Sequence, residues 1–174
     1  MKQKKYKYIT IVSMLAVSFL ILFDWFTIEA VGTKESHSFL TIPSMLVSGA
    51  DFLTQLGGKA VAITVVILGA CLEYMCLVAC ALGIWGAIRS IKKNRKSKLV
   101  VMSQLVFMSI ASITVIAVLL INVVSVSILG GIVSVMPTIW LIAFIVFLII
   151  SFISGSKYPS DAEIETHRRK HMVQ

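Results

Sequence analysis

Few residues in this 174-residue chain have the chemistry of a site, and most of them stand alone. Glu73 is the clearest. It lies midway along residues 60–88, an otherwise uncharged run. A carboxylate near the centre of a bilayer is costly unless it is protonated, paired or wetted. On a helix it would share a face with Gly69, Cys76, Cys80, Gly83 and Ala87, at i−4, i+3, i+7, i+10 and i+14. Apart from Glu73 that stripe is built of small residues, which let helices approach closely in lipid. Glu73 is therefore expected to point into the protein. Ser109, Ser112 and Thr114 of the next apolar run lie at matching depth as hydrogen-bond partners. Three roles fit: a hydrogen-bonded packing residue, a contact for a partner helix of another subunit, or a site that carries protons or cations. The third lacks the usual company, because the runs hold no second charge and residues 60–88 contain no Gly-Pro break.

Cys71, Cys76 and Cys80 invite a redox or metal reading. Cys76 and Cys80 with Glu73 place three ligands on one helix, which cannot close a tetrahedral site. Free cysteine also packs as a small hydrophobe, and packing is the expected role. His167 and His171, spaced i, i+4 near the C-terminus, have no evident third ligand. No Ser-His-Asp set, P-loop, HExxH or GxGxxG occurs. The sequence thus predicts no enzyme, no cofactor and no metal.

The elements that position these residues follow from composition. Hydrophobic residues make up 58% of the chain and charged ones 14%, against about 25% in an average soluble domain. Mean hydropathy is +0.96. This excludes a disordered chain, a coiled coil and an ordinary soluble enzyme. A spanning helix needs about 20 apolar residues. Residues 8–26 meet that length, as do residues 60–88. Residues 99–156 carry no charge and hold two further spans, near 100–125 and 138–155, separated by a tight turn at Gly130, Gly131 and Pro137. Buried backbone must pair internally in lipid, so the runs are read as helices, and no alternation of barrel type appears. Trp25, Trp85 and Trp140 fall at the span ends, where aromatic rings gather at the membrane–water interface. Cleavage of the first run as a signal peptide is not expected, since Ala30, the nearest small residue, has Ile28 at its −3 position.

The net charge of +8 alternates in step with these spans. Lys2, Lys4, Lys5 and Lys7 precede the first run, and Arg89, Lys92, Lys93, Arg95, Lys96 and Lys98 follow the second. The loop 27–59 and Asp24 before it carry Glu29, Glu35 and Asp51 against Lys34 and Lys59. Basic residues near span ends stay cytoplasmic. Both termini and the 89–98 loop are therefore expected inside, with 27–59 and 126–137 outside. The six basic residues of 89–98 suit anionic lipid headgroups at about 1 kcal/mol each. Aromatic interleaving for nucleic acid is absent from that loop.

Within 27–59, Pro43 suits a helix's first turn, and Ile42, Met45, Leu46, Phe52, Leu53 and Leu56 recur at roughly helical spacing. Gly57 and Gly58 supply a stop, so a short amphipathic helix is expected on the outer surface or against the bundle. The tail 157–174 is polar, and Ser160 with Glu163 matches a capping box.

In size and span number the chain resembles membrane thiol oxidases, but their outer-loop cysteine pairs are missing from 27–59. Four spans with a larger first outer loop also resemble the tetraspan layout of claudin-type proteins. The DWF of residues 24–26 follows the first span, but the Trp–Cys–Cys pattern of that loop in claudins is absent. No family is assigned. The expected fold is an all-α integral membrane protein: a bundle of four transmembrane helices, both termini cytoplasmic, in a plasma membrane, of bacterial inner-membrane style. The expected function is a non-enzymatic accessory, assembly or regulatory subunit that binds other membrane subunits or itself. The alternative is a small transporter or channel subunit coupling protons or cations through Glu73.

Overall fold

The computed structural model describes residues 2–157 apart from residues 31, 49, 94, 95 and 129. The order is α1 (Lys2–Leu20), β1 (Asp24–Ala30), β2 (Thr33–Ser38), a 3-10 turn (Phe39–Thr41), α2 (Ile42–Ser48), α3 (Ala50–Lys93), α4 (Lys98–Ile128), β3 (Val133–Pro137) and α5 (Ile139–Ser156). Three helical segments are long and apolar enough to cross a membrane: Gly58–Lys92, Lys98–Ser127 and Ile139–Ser156. These coincide with the second, third and fourth expected runs. The helix α1 is not among them, because Lys2, Lys4, Lys5 and Lys7 occupy its first turns.

The first run ends earlier than expected. Its helix stops at Leu20 instead of Phe26, with turn bonds from Leu22 N to Phe19 O and from Phe23 N to Leu20 O. The next residues, DWFTIEA, form β1. From Phe26 onward they alternate apolar and polar, the period of a half-buried strand. The turn expected at 126–137 is also more than a turn, because Val133–Pro137 forms β3. The fold is therefore mostly helical with a small sheet, and not all-α.

The sheet is antiparallel with order β2-β1-β3. Ala30 faces Thr33 across the β1–β2 hairpin, where Gly32 takes φ 79, a conformation open to glycine at little cost. Phe26, Ile28 and Val135 lie on the inner face, while Thr27, Glu29, Ser36 and Met136 lie on the outer one. The free edge of β3 is closed by α4. Asn122 Nδ2 donates to Val135 O and its Oδ1 accepts from Val135 N, both at 2.8 Å. Ser125 Oγ accepts from Val133 N at 3.1 Å and donates to Val133 O.

The helix expected in residues 39–58 is present in two pieces. Pro43 sits in the first turn of α2, and α3 begins at Ala50. Gly58, at φ 80 and ψ 169, breaks α3 where the stop was expected, yet the helix resumes at once into the long apolar segment. At its other end α3 runs to Lys93, so Arg89 and Lys92 belong to a helix and not to a loop. Ser97 then caps α4, its Oγ accepting from Leu99 N at 3.3 Å.

The core lies where the helices meet the sheet. Met14 and Val17 of α1, with Ile21 just beyond its end, pack with Cys76 and Ala79 of α3, Phe107 and Ile110 of α4, and Phe144 and Leu148 of α5. Trp25 is wholly buried, not interfacial as expected. Its ring lies 4.4 Å from that of Phe144 and 5.1 Å from that of Phe39, and its Nε1 donates to Leu20 O at 3.0 Å. The indole finds its one acceptor in the last turn of α1, so burial leaves no polar group unpaired. Trp140 stacks on Phe23 at 4.4 Å, and Trp85 is exposed.

Candidate functional site

The small-residue stripe of α3 faces the rest of the chain. Gly69, Cys76, Gly83 and Ala87 are buried and Cys80 is half-buried. Ala79 and Gly86 extend the same surface. A Cβ on Gly83 would lie 2.8 Å from Met14 Cε, 2.9 Å from Ser103 Oγ and 3.1 Å from Ser18 Oγ. One on Gly86 would meet Val100 N at 2.8 Å, and one on Gly69 would meet Leu46 Cδ1 at 2.5 Å. The glycines therefore admit α1, α4 and α2 respectively. Two hydrogen bonds fix this approach: Ser103 Oγ donates to Ala79 O at 2.6 Å, and Cys80 Sγ donates to Ser18 O at 3.7 Å. Cys71 is exposed. The stripe is covered by this chain's own helices, so it is not a surface left for a partner.

Glu73 is half-buried, and among the described residues it has no hydrogen bond or ion pair. The three hydroxyls at its depth turn back on their own helix. Ser109 Oγ donates to Leu105 O, Ser112 Oγ to Met108 O and Thr114 Oγ1 to Ile110 O, at 2.9–3.1 Å. Ser109 and Ser112 are also exposed. Depth along a helix can be counted from sequence, but whether a hydroxyl bonds to its own backbone cannot.

The basic residues do two things. Arg89, Lys92 and Lys98 are exposed. Lys96 instead donates to Gly155 O at 2.9 Å, and Lys7 of α1 donates to Ile91 O at 3.4 Å. Each ammonium thus meets a carbonyl in the last turn of a neighbouring helix, where the helix dipole favours a cation. The side chains of Lys93 and Arg95 lie outside the described residues, as do Ser160, Glu163, His167 and His171.

Sequence reasoning did not single out Gln104. It is 1% exposed, between α4 and α5. Its Nε2 donates to Ser151 Oγ at 2.7 Å, and its Oε1 has no partner among the described residues. Beside it Thr10 Oγ1 donates to Ser154 Oγ at 2.9 Å, tying α1 to α5. One polar residue in an apolar run was the available signal.

An apolar chamber lies under the sheet. It measures about 270 Å3 and is bordered by α2, α3, α4 and the inner face of the sheet. Phe26, Ile28 and Val135 roof it, Met45 and Leu46 form one wall, and Leu72 and Ala117 lie deeper. Its one hydroxyl, that of Thr114, is already bonded to Ile110 O. A cavity so lined offers no polar recognition and suits a hydrocarbon.

Compared with known proteins, the chain matches no family model, no curated protein and no solved structure.

Proposed function

We propose that this chain is a non-enzymatic multi-pass membrane protein that serves as an accessory, assembly or regulatory subunit and receives a partner helix at Glu73. The observation that carries this is the carboxylate itself. It lies near the middle of the segment Gly58–Lys92, half-buried, with no partner inside the described chain. An intramembrane carboxylate calls for a hydrogen-bonding or cationic group, and here that group comes from another subunit. The helix surface beside it supports docking, since Leu77, one turn along α3, presents an exposed apolar side chain.

In this reading α1 is a fourth span, the four long helices form a bundle in the plasma membrane, and both termini are cytoplasmic. Support comes from the charge. Lys7, Arg89, Lys92 and Lys96 cluster at the helix ends remote from the sheet, while Asp24, Glu29 and Glu35 accompany the strands. Such a bias orients spans with the basic end inside, facing anionic headgroups.

The test is photo-crosslinking from a diazirine amino acid placed at Leu77, exposed and one turn along α3 from Glu73, in native membranes, followed by mild-detergent purification. One crosslinked membrane protein is expected. Its co-purification with the unmodified chain should be lost on Glu73→Leu and kept on Glu73→Gln, which retains hydrogen bonding. A monodisperse monomer with no crosslink overturns the proposal.

A further inference from the structure

We infer that the chamber under the sheet holds one acyl chain of a phospholipid from the leaflet on the sheet side. This rests on the reading that α3 and α4 cross the bilayer. The occupant follows from what lines the chamber and where it opens. Leu68, Ile113 and Ile121 lie on its wall, belong to the two long apolar segments, and are each about half exposed. The opening is thus rimmed by apolar side chains at the level of the hydrocarbon, where the available ligand is a lipid tail. Polar groups are absent from the lining except the Thr114 hydroxyl, which is spent on its own helix, so water gains nothing by entering. At about 270 Å3 the chamber suits a stretch of one tail and not a whole lipid.

Two features make the chamber a built one. Gly69 lets α2 sit directly on α3, since a Cβ there would collide with Leu46. Asn122 and Ser125 hold β3 against α4, so the roof cannot slide over the opening. The wedge between them stays open because α2 is tied down at Gly69 and β3 at Asn122, with Ala117 contributing only a methyl between.

The experiment uses the full chain in vesicles of phosphatidylethanolamine and phosphatidylglycerol carrying a phospholipid with a diazirine at one tail end. After irradiation, adducts are mapped by mass spectrometry. They should concentrate on residues 42–46, 65–72 and 113–121. Ala117→Phe, which fills the chamber, should abolish them, whereas Val126→Phe on the exposed face of α4 should not. Met45→Ala, which enlarges the chamber, should increase them and decides the matter if Ala117→Phe does not fold. Adducts spread evenly along the exposed faces of α3 to α5, or unchanged in both Ala117→Phe and Met45→Ala, overturn the inference. A peptide from another protein crosslinked into the chamber overturns it as well. Resistance to carbonate extraction is measured separately, so failure of the membrane reading is distinguishable from failure of the chamber.

Discussion

At Gly83 two helices, α1 and α4, press against a third, and a single methyl there tests the packing. A Cβ on Gly83 would meet Met14 Cε of α1 at 2.8 Å, Ser103 Oγ of α4 at 2.9 Å and Ser18 Oγ of α1 at 3.1 Å. The methionine methyl can swing aside. The two hydroxyls are less free, because Ser103 donates to Ala79 O at 2.6 Å and Ser18 to Met14 O at 3.0 Å. Over-packing of this kind costs about 1–3 kcal/mol. Replacing glycine by alanine inside a helix returns at most about 1 kcal/mol. The difference predicts that Gly83→Ala destabilises by up to about 2 kcal/mol. Ala81, two residues away, is exposed, so Ala81→Gly should lose only the propensity, about 1 kcal/mol. Both alanine-for-glycine directions then destabilise, which propensity alone forbids. The assay is equilibrium unfolding in mixed dodecyl maltoside and SDS micelles, followed by tryptophan fluorescence. Ser103→Ala removes the 2.9 Å contact, so the double variant should recover part of the loss, with a coupling energy of about 0.5 kcal/mol or more. A Gly83→Ala protein more stable than the parent would refute the close approach of α1 and α4 to α3.

Asn122→Leu strips both hydrogen bonds from Val135 and should cost about 1–3 kcal/mol, seen as faster amide exchange along β3. Lys96→Met removes a cation from the end of α5 and should cost about 0.3–1 kcal/mol, read as exchange at the final turn. Gln104→Leu discards an unpartnered oxygen along with one hydrogen bond, so its unfolding midpoint should move by less than about 1 kcal/mol equivalent. Proton flux into liposomes should be the same for the parent and Glu73→Gln, and flux abolished by that change would favour a transport role.

Much of the helical architecture was legible because its signal is local. Residues 60–88 and 99–156 are apolar over whole spans, and the helices follow. The small stripe from Gly69 to Ala87 was legible too, since helical spacing alone brings those residues to one face. The sheet was hidden for two reasons. Trp25 and Phe26 extend the first apolar run, so β1 reads as the end of a span. Its partner Val133–Pro137 is five residues long, and nothing nearby states that it pairs with a segment far upstream. Trp25 was assigned to the interface for its type, but its place is decided by Phe39 and Phe144, which only the fold brings to it. Ser109, Ser112 and Thr114 donate to their own helix and not to Glu73, a choice that depth along the helix does not reveal.

The sheet also sets a timetable. Its central strand is made early and one of its edges late: Thr138 donates to Asp24 O across 114 residues of chain. Until α5 leaves the ribosome, β1 has no β3 beside it and Trp25 has no Phe144 over it. The strand made first must therefore wait, paired on one edge, while the middle of the protein is made. A chain cut short before residue 133 would leave β1 with one open edge and Trp25 without Phe144. Open strand edges and exposed apolar surface make incomplete chains prone to aggregate, so the last strand and helix close what the first ones leave open.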